Sequence, residues 1–503
     1  MMAVMTQPSR SLADLLGAAV PLAKAGQVQV TGLCLDSRQV RAGEVFLALP
    51  GTREHGLVHA QQALDRGAAC VLFDPVGIGS MDLEAFGTRA LPVPELASRV
   101  GLMAAAFFDY PSHAMQVVGV TGTDGKTSVS QCLAAALHSD TRPCGVVGTL
   151  GVGAYGHLSP ATGMTTPDAI ALQSLLAQQR AAGIHQLVME VSSHALSQHR
   201  VNGVDFDVAI FTNLGHDHLD YHGSVDAYGQ AKARLFRWPN LKLAVVNLDD
   251  AFGRQLQESL EGRVPVLGYG LQAYPGVAEQ LVASGLSFTP GGLRFQVSTP
   301  WGSGELSSRL LGRFNVSNLL AVLGALLHLD VTLSDALDRI ARIPTVPGRM
   351  ELYPSHAQGP ALIVDYAHTP QALASVLQAA RVHCPGRLLC VFGCGGNRDV
   401  KKRPLMAQAA QQYADQVIVT SDNPRHEDPE AIISDILRGF ARPEEVFVEA
   451  EREAAIRLAF SQAGSEDMVL IAGKGHETWQ QVGDQQQPFS DRAIAAELSE
   501  VAA

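Results

Sequence analysis

The 503-residue chain carries 37 Lys and Arg against 49 Asp and Glu, a formal net charge of −12, with 47% apolar and 17% charged residues. That balance supplies ample core, and it excludes non-specific binding to nucleic acid or to an anionic membrane. Any anionic ligand must therefore be gripped by local positive groups. The length predicts about three domains. No apolar run reaches membrane-spanning length, Met1 to Arg10 lack a signal-peptide core, and seven scattered cysteines without a Cys-x-x-Cys pair read as reduced thiols. The expectation is a soluble cytoplasmic protein.

The first segment, to about Leu96, predicts short strands at Val28–Val30, Leu33–Ser37, Glu44–Leu49 and Cys70–Phe73, with a helical stretch from Val58 to Arg66. Asp36-Ser37-Arg38 and Thr52-Arg53-Glu54 fall in turns after apolar strands, where polar side chains can meet a ligand. Plain turn chemistry explains them equally well. A helix from Glu95 to Phe108 opens the next region.

The strand Val117–Val120 runs into Gly122-Thr123-Asp124-Gly125-Lys126-Thr127, and a helix is predicted from Ser128. Strand, glycine turn, Lys-Thr and helix make a phosphate cradle. Backbone N–H groups converge on an anion, the helix dipole assists, and lysine adds a mobile charge. The threonine hydroxyl is then placed for Mg²⁺, so a nucleoside triphosphate, ATP, is the expected ligand. The spacing Gly-x-x-Gly-Lys-Thr is two residues shorter than the common loop.

Downstream, strands at Gly145–Gly148, Gln186–Val191, Val208–Thr212 and Leu243–Asn247 alternate with helices such as Ala169–Ala182, which predicts a parallel sheet with ligands at the strands' carboxyl ends. Glu190-Val191-Ser192-Ser193-His194 follows one of these strands. Glu190 could join Thr127 on Mg²⁺ or could cap a helix. Asn213 to His222 holds three His and two Asp within seven residues, which points to metal or acid–base work. His216-Asp217-His218-Leu219-Asp220 also comes close to the His-x-His-x-Asp-His of dinuclear zinc hydrolases, a pattern that Tyr221 breaks. Lys232, within Tyr228-Gly229-Gln230-Ala231-Lys232-Ala233, reads by itself as a surface helix lysine. Gly285–Thr289 and Leu293–Val297 predict an antiparallel addition.

From Pro347-Gly348-Arg349 a second open α/β sheet is predicted, with strands at Ala361–Asp365, Arg387–Gly393, Gln416–Ser421 and Met468–Ala472. Three polar turns follow apolar strands there: Gly393 to Asp399, Asp422-Asn423-Pro424-Arg425, and Gly473-Lys474-Gly475-His476-Glu477. On one sheet edge they suit a zwitterionic small molecule, with arginines for carboxylate and carboxylates for ammonium.

Taken together these motifs resemble the Mur ligase family, the ATP-dependent amide ligases of peptidoglycan precursor synthesis. The phosphate loop, Glu190 to His194, Asn213 to Asp220, Lys232, Asn315 with Asn318, Gly348-Arg349 and Asp365-Tyr366-Ala367-His368 occur in the family's order over nearly the whole chain. Thr165-Thr166-Pro167, Ser37 after Asp36 and Asp422-Asn423-Pro424-Arg425 resemble the members that add meso-diaminopimelate.

The resemblance implies an α/β fold of three domains: a small N-terminal α/β domain (1–96) for the UDP substrate, a central P-loop-type parallel sheet (97–346), and a C-terminal Rossmann-like domain (347–503) for the amino acid. It implies that Leu35, Ser37, Thr52, Arg53, Glu54, Thr165, Thr166, Ser192, Gln198 and Arg200 hold a UDP-N-acetylmuramoyl dipeptide. Gly122, Thr123, Asp124, Gly125, Lys126, Thr127 and Ser128, with Asn315, Arg349 and Asp365, would hold ATP. Thr127, Glu190, His218 and a carbamate on Lys232 would hold Mg²⁺, with Lys126, Glu190, His218 and Lys232 catalytic. Arg398, Asp422, Asn423, Pro424, Arg425, Gly473 and Glu477 would bind diaminopimelate. The implied partners are small molecules, without nucleic acid or membrane insertion, and the implied state is a monomer.

Three departures stand out: Asp124 and Ser128 where the family commonly has Asn and Thr, and Met164 before Thr-Thr-Pro where the diaminopimelate enzymes often have a polar residue. The alternatives are a folylpolyglutamate-type or other Mur ligase, a metal-dependent hydrolase built on His216 to Asp220, and a nucleotide switch. A switch would carry an Asn-Lys-x-Asp guanine reader, and no Asn-Lys pair occurs in the chain.

Overall fold

In the computed structural model the described residues are 9–17, 26–51, 54–79, 81–160, 163–354 and 359–501. Thr52 and Arg53 lie outside them. The chain divides into two compact units, Met1–Val246 with Asp250–Val266, and Asn247–Asp249 with Leu267–Ala503. No helix among the described residues is long and apolar enough to cross a membrane.

Beside the short antiparallel pair Arg10–Ser11 with Gln29–Val30, two larger sheets organise the first unit. The smaller one pairs Gly32–Cys34, Glu44–Ala48, Cys70–Phe73 and Ala90–Pro92 in that order, all parallel. Its helix Leu96–Phe107 starts at the left-handed Glu95 and packs Val100, Met103 and Ala104 onto Leu47 and Leu72. The larger sheet has Gln116–Thr121 at its centre, flanked in parallel by Gln186–Glu190 and Val208–Phe211. Cys144–Gly148 and Leu243–Asn247 extend it on either side, also in parallel. These strands are fully buried, which explains why they read as continuous Val-rich runs rather than alternating ones. Because consecutive strands fall on both sides of Gln116–Thr121, the order reverses there, and a crevice opens at the carboxyl ends of its neighbours.

In the second unit, Gln280–Thr289, Gly292–Thr299 and Gly302–Ser308 form an antiparallel ribbon. A six-stranded sheet follows, in the order Glu351–Tyr353, Ala361–Asp365, Met468–Ala472, Leu388–Phe392, Gln416–Val419 and Phe447–Val448, antiparallel only at its first pair. The three polar turns therefore leave the carboxyl ends of three adjacent parallel strands, as the sequence predicts. Two of the flanking helices carry a plain start signal. Thr369 accepts from Ala372 N–H with Pro370 opening the helix, and Asp428 does the same for Glu430 ahead of Pro429.

Gly348 shows how tightly one of these turns is set. Its φ is +65°, and a Cβ there would stand 2.2 Å from the backbone nitrogen of His476. Gly348→Ala is therefore expected to cost more than about 2 kcal/mol through strain and overpacking, read as a lowered midpoint in denaturant.

Candidate functional site

Thr121 ends the central strand, and Gly122 and Gly125 turn the chain into the helix Lys126–Leu137, with Gly125 in the left-handed region at φ +82°. A Cβ on Gly122 would collide with Thr212 Oγ1 at 1.8 Å, so the end of the neighbouring strand presses directly on the loop. That neighbour also braces it. Asn213 Oδ1 accepts from Asp124 N–H at 2.9 Å, the Asn213 carbonyl accepts from Thr123 N–H at 2.9 Å, and Thr212 Oγ1 donates to the Asp124 carbonyl at 2.6 Å. Asp124 is thus held through its backbone while its residue stays exposed.

Lys126 Nζ arches over the loop to the carbonyls of Gly122 and Thr123 at 3.0 and 2.9 Å. The Gly122 carbonyl takes a second cation, Lys232 Nζ at 2.6 Å. Lys232 is not a surface lysine. It is 1% exposed on the helix Val225–Ala233 and lies 4.1 Å over the Tyr228 ring. Small neighbours such as Gly229 and Ala231 let that helix approach closely, which is why the composition that looked like a surface helix is a packed one. Burial, then the charge of Lys126, push the Lys232 ammonium down to about 6.

Glu190 is fully buried at the end of its strand. Thr127 Oγ1 donates to its Oε2 at 3.0 Å, Thr149 Oγ1 to the same oxygen at 3.1 Å, and Thr149 N–H to Oε1 at 2.8 Å. Glu190 is therefore not a helix cap. Ser192 caps the next helix instead, accepting from Ala195 N–H. A buried carboxylate against a threonine hydroxyl at the start of a phosphate-loop helix is an oxygen donor set that suits a hard cation such as Mg²⁺.

His218, expected beside them, has φ +53° and faces Asp217 Oδ2 at 3.3 Å. Its ring meets that of His194 at 4.7 Å and that of Tyr228 at 6.2 Å, so Tyr228 lies against both His218 and Lys232. His216, Asp217 and Asp220 are exposed. Among the described residues no group of three or more His, Cys, Asp and Glu gathers as a metal-ligand cluster.

Five of the expected substrate residues gather in the first unit. Thr166 Oγ1 donates to the Glu190 carbonyl at 2.8 Å and accepts from Ser192 N–H at 3.1 Å. Thr165 Oγ1 lies 3.3 Å from Thr149 Oγ1. Arg200 Nη1 donates to the Thr166 carbonyl and its Nε to Gln198 Oε1. Met164 joins this group, its sulfur accepting from Arg200 at 3.0 Å, so the departure at that position supports the arginine. Elsewhere in the unit, Ser37 is buried and donates to Gln62 at 2.7 Å, Leu35 is half-buried, and Glu54 is exposed and paired with His59.

In the second unit Asp365 is buried and accepts from Met350 and Ala367 N–H, both at 2.7 Å. Burial raises its carboxyl pKa above the ordinary range, while those bonds and Arg349 oppose the rise. Arg349 stacks on Tyr366 at 5.1 Å, and its Nε is buried without a partner. Asn315 is buried, bonded to the Leu311 carbonyl and to Asn318.

The three polar turns do converge. Asn423 Nδ2 donates to Glu477 Oε2 at 3.0 Å, and the Asn423 carbonyl accepts from Gly396 N–H at 2.9 Å. Arg425 Nη1 donates to the Gly396 carbonyl at 2.8 Å. A Cβ on Gly396 would strike the Pro424 carbonyl at 1.9 Å, and one on Gly473 would meet Asp422 Oδ2 at 2.7 Å. Arg398 is exposed on the Gly395 turn.

Some residues here, or the contacts they make, carry no signal in the sequence. Thr149 and Asn213's clamp on the loop carried no spacing signal. The hairpin Trp479–Val482 and Gln485–Pro488 grips the Asp-Asn-Pro-Arg turn, with Gln480 Nε2 on the Asp422 carbonyl and Gln481 N–H on Asn423 Oδ1. Lys474 was marked by its flanking glycines but not by its role. It is fully buried and donates to Asn423 Oδ1 at 3.0 Å and Glu477 Oε2 at 2.8 Å. Lys474→Met removes one partner of a buried pair and is expected to destabilise the protein by about 3 kcal/mol, measurable by chemical denaturation.

Comparison with known proteins agrees with this geometry. The Mur ligase middle domain matches residues 120–326, the glutamate ligase domain of Mur ligases 348–475, and the Mur ligase family catalytic domain 29–108. A UDP-N-acetylmuramoyl-L-alanyl-D-glutamate–2,6-diaminopimelate ligase of Alkalilimnicola ehrlichii is 49% identical over 496 residues, 97% of this chain and 99% of its own. One of the same name from Pseudomonas aeruginosa is 47% identical over 469 residues, 92% of this chain and 95% of its own. A solved structure of a ligase with that name superposes with a TM-score of 0.73 at 34% identity, covering 98% of this chain and 99% of the other. Folylpolyglutamate synthase of Mycobacterium tuberculosis shares the fold, with a TM-score of 0.60 at 20% identity over 75% of this chain and 92% of its own.

Proposed function

Because the chain belongs to the Mur ligase family, we propose that it is the ATP-dependent ligase that joins meso-diaminopimelate to UDP-N-acetylmuramoyl-L-alanyl-D-glutamate. The γ-phosphoryl of ATP passes to the D-glutamyl γ-carboxylate, giving an acyl phosphate and ADP. The neutral amine of diaminopimelate attacks the acyl carbon, and the tetrahedral intermediate expels phosphate as the amine loses its proton.

A carboxylate approaching a triphosphate is anion meeting anion, and the loop supplies what that step needs. Gly122 to Ser128 are assigned to the ATP phosphates, with Lys126 as the charge that follows the transferred group. Asn315, Arg349 and Asp365 are assigned to the same nucleotide. Thr127 and Glu190, with His218 and Lys232 as its carbamate, would hold Mg²⁺, which neutralises phosphate charge when bound. A neutral buried amine can add CO₂ and lose a proton to become a carbamate, whereas an ammonium beside Mg²⁺ would be repelled.

Thr165, Thr166, Ser192, Gln198 and Arg200 are assigned to the muramoyl dipeptide, and Leu35, Ser37 and the Thr52-Arg53-Glu54 turn to its UDP end. Arg398, Asp422, Asn423, Pro424, Arg425, Gly473 and Glu477 are assigned to diaminopimelate. The division into three domains at residues 96 and 346, a cytoplasmic setting and a monomeric state belong to the same reading.

The observation that carries this proposal is the buried Glu190 bonded to Thr127 beside a loop on which both Lys126 and Lys232 converge. ADP release with the UDP-muramoyl dipeptide tests it. Release is expected with diaminopimelate, far less with lysine, and only at background without an amino acid. Equal release with all three would sink it.

A further inference from the structure

We propose that Arg452 is a positioning residue of the amino-acid subsite, a buried clamp that fixes the spacing between the strand ends bearing Asp422 and Gly473. The inference rests on the assignment of those residues to the incoming amino acid. Arg452 opens the helix Arg452–Gln462 and is 1% exposed. Its Nε and Nη2 fork onto Asp491 at 2.8 and 2.7 Å, with both side chains fully buried.

Two further bonds leave the pair. Arg452 Nη1 donates to the Ser421 carbonyl at 3.2 Å and Nη2 to the Ala472 carbonyl at 3.0 Å. Those carbonyls belong to the peptides that join Ser421 to Asp422 and Ala472 to Gly473. The two strands concerned, Gln416–Val419 and Met468–Ala472, are not neighbours. Leu388–Phe392 runs between them, so no ladder hydrogen bond joins them directly across two strand spacings of roughly 5 Å each. Arg452 bridges that gap just behind the turns.

Contact with the subsite is close. A Cβ on Gly473 would meet Asp422 Oδ2 at 2.7 Å and Arg452 Nη2 at 3.8 Å, so Gly473, Asp422 and Arg452 share one spot. The guanidinium also interacts electrostatically with Asp422 and Glu477, the two carboxylates assigned to the ammonium. A buried ion pair adds little stability over a well-packed apolar pair, so stability alone gives no reason for an arginine here. Geometry does, because only a planar fork can serve Asp491 and two carbonyls at once, and a lysine cannot.

Arg452→Lys in the full chain keeps the charge and loses the fork. Its KM for diaminopimelate is expected to rise about tenfold or more, while the KM values for ATP and for the UDP-muramoyl dipeptide change less than about twofold. Asp491→Asn should give the same split, with faster hydrogen exchange at residues 421–425 and 472–477 together, and it serves if Arg452→Lys does not fold. KM values that move in parallel, or that stay put in both variants, would overturn the proposal. Arg425→Ala is run beside them. If it leaves the diaminopimelate KM unchanged, the subsite assignment itself is wrong; if it raises that KM while Arg452→Lys and Asp491→Asn do not, only the clamp is wrong.

Discussion

Lys232→Ala is expected to lower ligation by about 10²–10³-fold or more, the loss typical of removing one preorganised electrostatic group from a reaction centre. Short carboxylic acids such as acetate should restore part of the activity. The argument starts from burial. Lys232 is 1% exposed, shares the Gly122 carbonyl with Lys126 and is pushed down to about 6. Burial and the Lys126 charge outweigh the opposing pull of Asp217 and Asp124, so the neutral amine is the favoured form at neutral pH. That form is nucleophilic toward CO₂, and a carbamate formed there would turn a repelled cation into an anionic oxygen donor at the phosphate loop. Alanine leaves a cavity of the right polarity for a small carboxylate to enter. ADP release measured with and without acetate checks the prediction. Full activity without any acid would remove the carbamate from the mechanism, and a dead variant that no acid revives would leave Lys232 a packing residue.

How far the sequence could be read depended on what kind of signal each element leaves. The parallel strands were legible because burial on both faces writes them as Val-rich runs, and the strand boundaries at Leu243–Asn247 and Met468–Ala472 match residue for residue. Phe314–His328 was not predicted as a helix. It is buried nearly all round, so it lacks the polar face that gives a helix its periodicity. The hairpin at Trp479–Pro488 was missed for the opposite reason, since a Gln-rich, largely exposed pair of strands has no apolar alternation to read. In the site, motif chemistry pointed to Lys126, Thr127 and Glu190, whereas Lys232 was singled out only by the family resemblance and lies buried. Residues that act from behind, such as Thr149, Lys474 and Arg452, became visible only through their distances.

Arg425→Ala is expected to raise the KM for diaminopimelate by about 10–150-fold, the equivalent of one charge-assisted hydrogen bond of roughly 1.5–3 kcal/mol, with ATP use nearly unchanged. Diaminopimelate differs from lysine by one carboxylate, so the residue that reads it must be a cation held in place. Arg425 meets that need. Its backbone sits in the left-handed region at φ +51°, and Arg425 N–H donates to the Gln481 carbonyl while Gly483 N–H donates to its own carbonyl. The side chain is half-buried, with one Nη1 contact to the Gly396 carbonyl, and a guanidinium has five N–H groups in all. A bound carboxylate can therefore be held without displacing that contact. With lysine as substrate the same half-buried guanidinium keeps only the Gly396 carbonyl and gains no carboxylate, and this penalty adds to the lost bond. Together they make discrimination of about 10⁴ attainable. Arg425→Ala should consequently narrow the preference for diaminopimelate over lysine, and Arg425→Lys should recover little of it, because a point charge cannot reproduce the fork. Steady-state constants for both amino acids and for ATP decide the matter. If the diaminopimelate and ATP constants move together, Arg425 is not the reader.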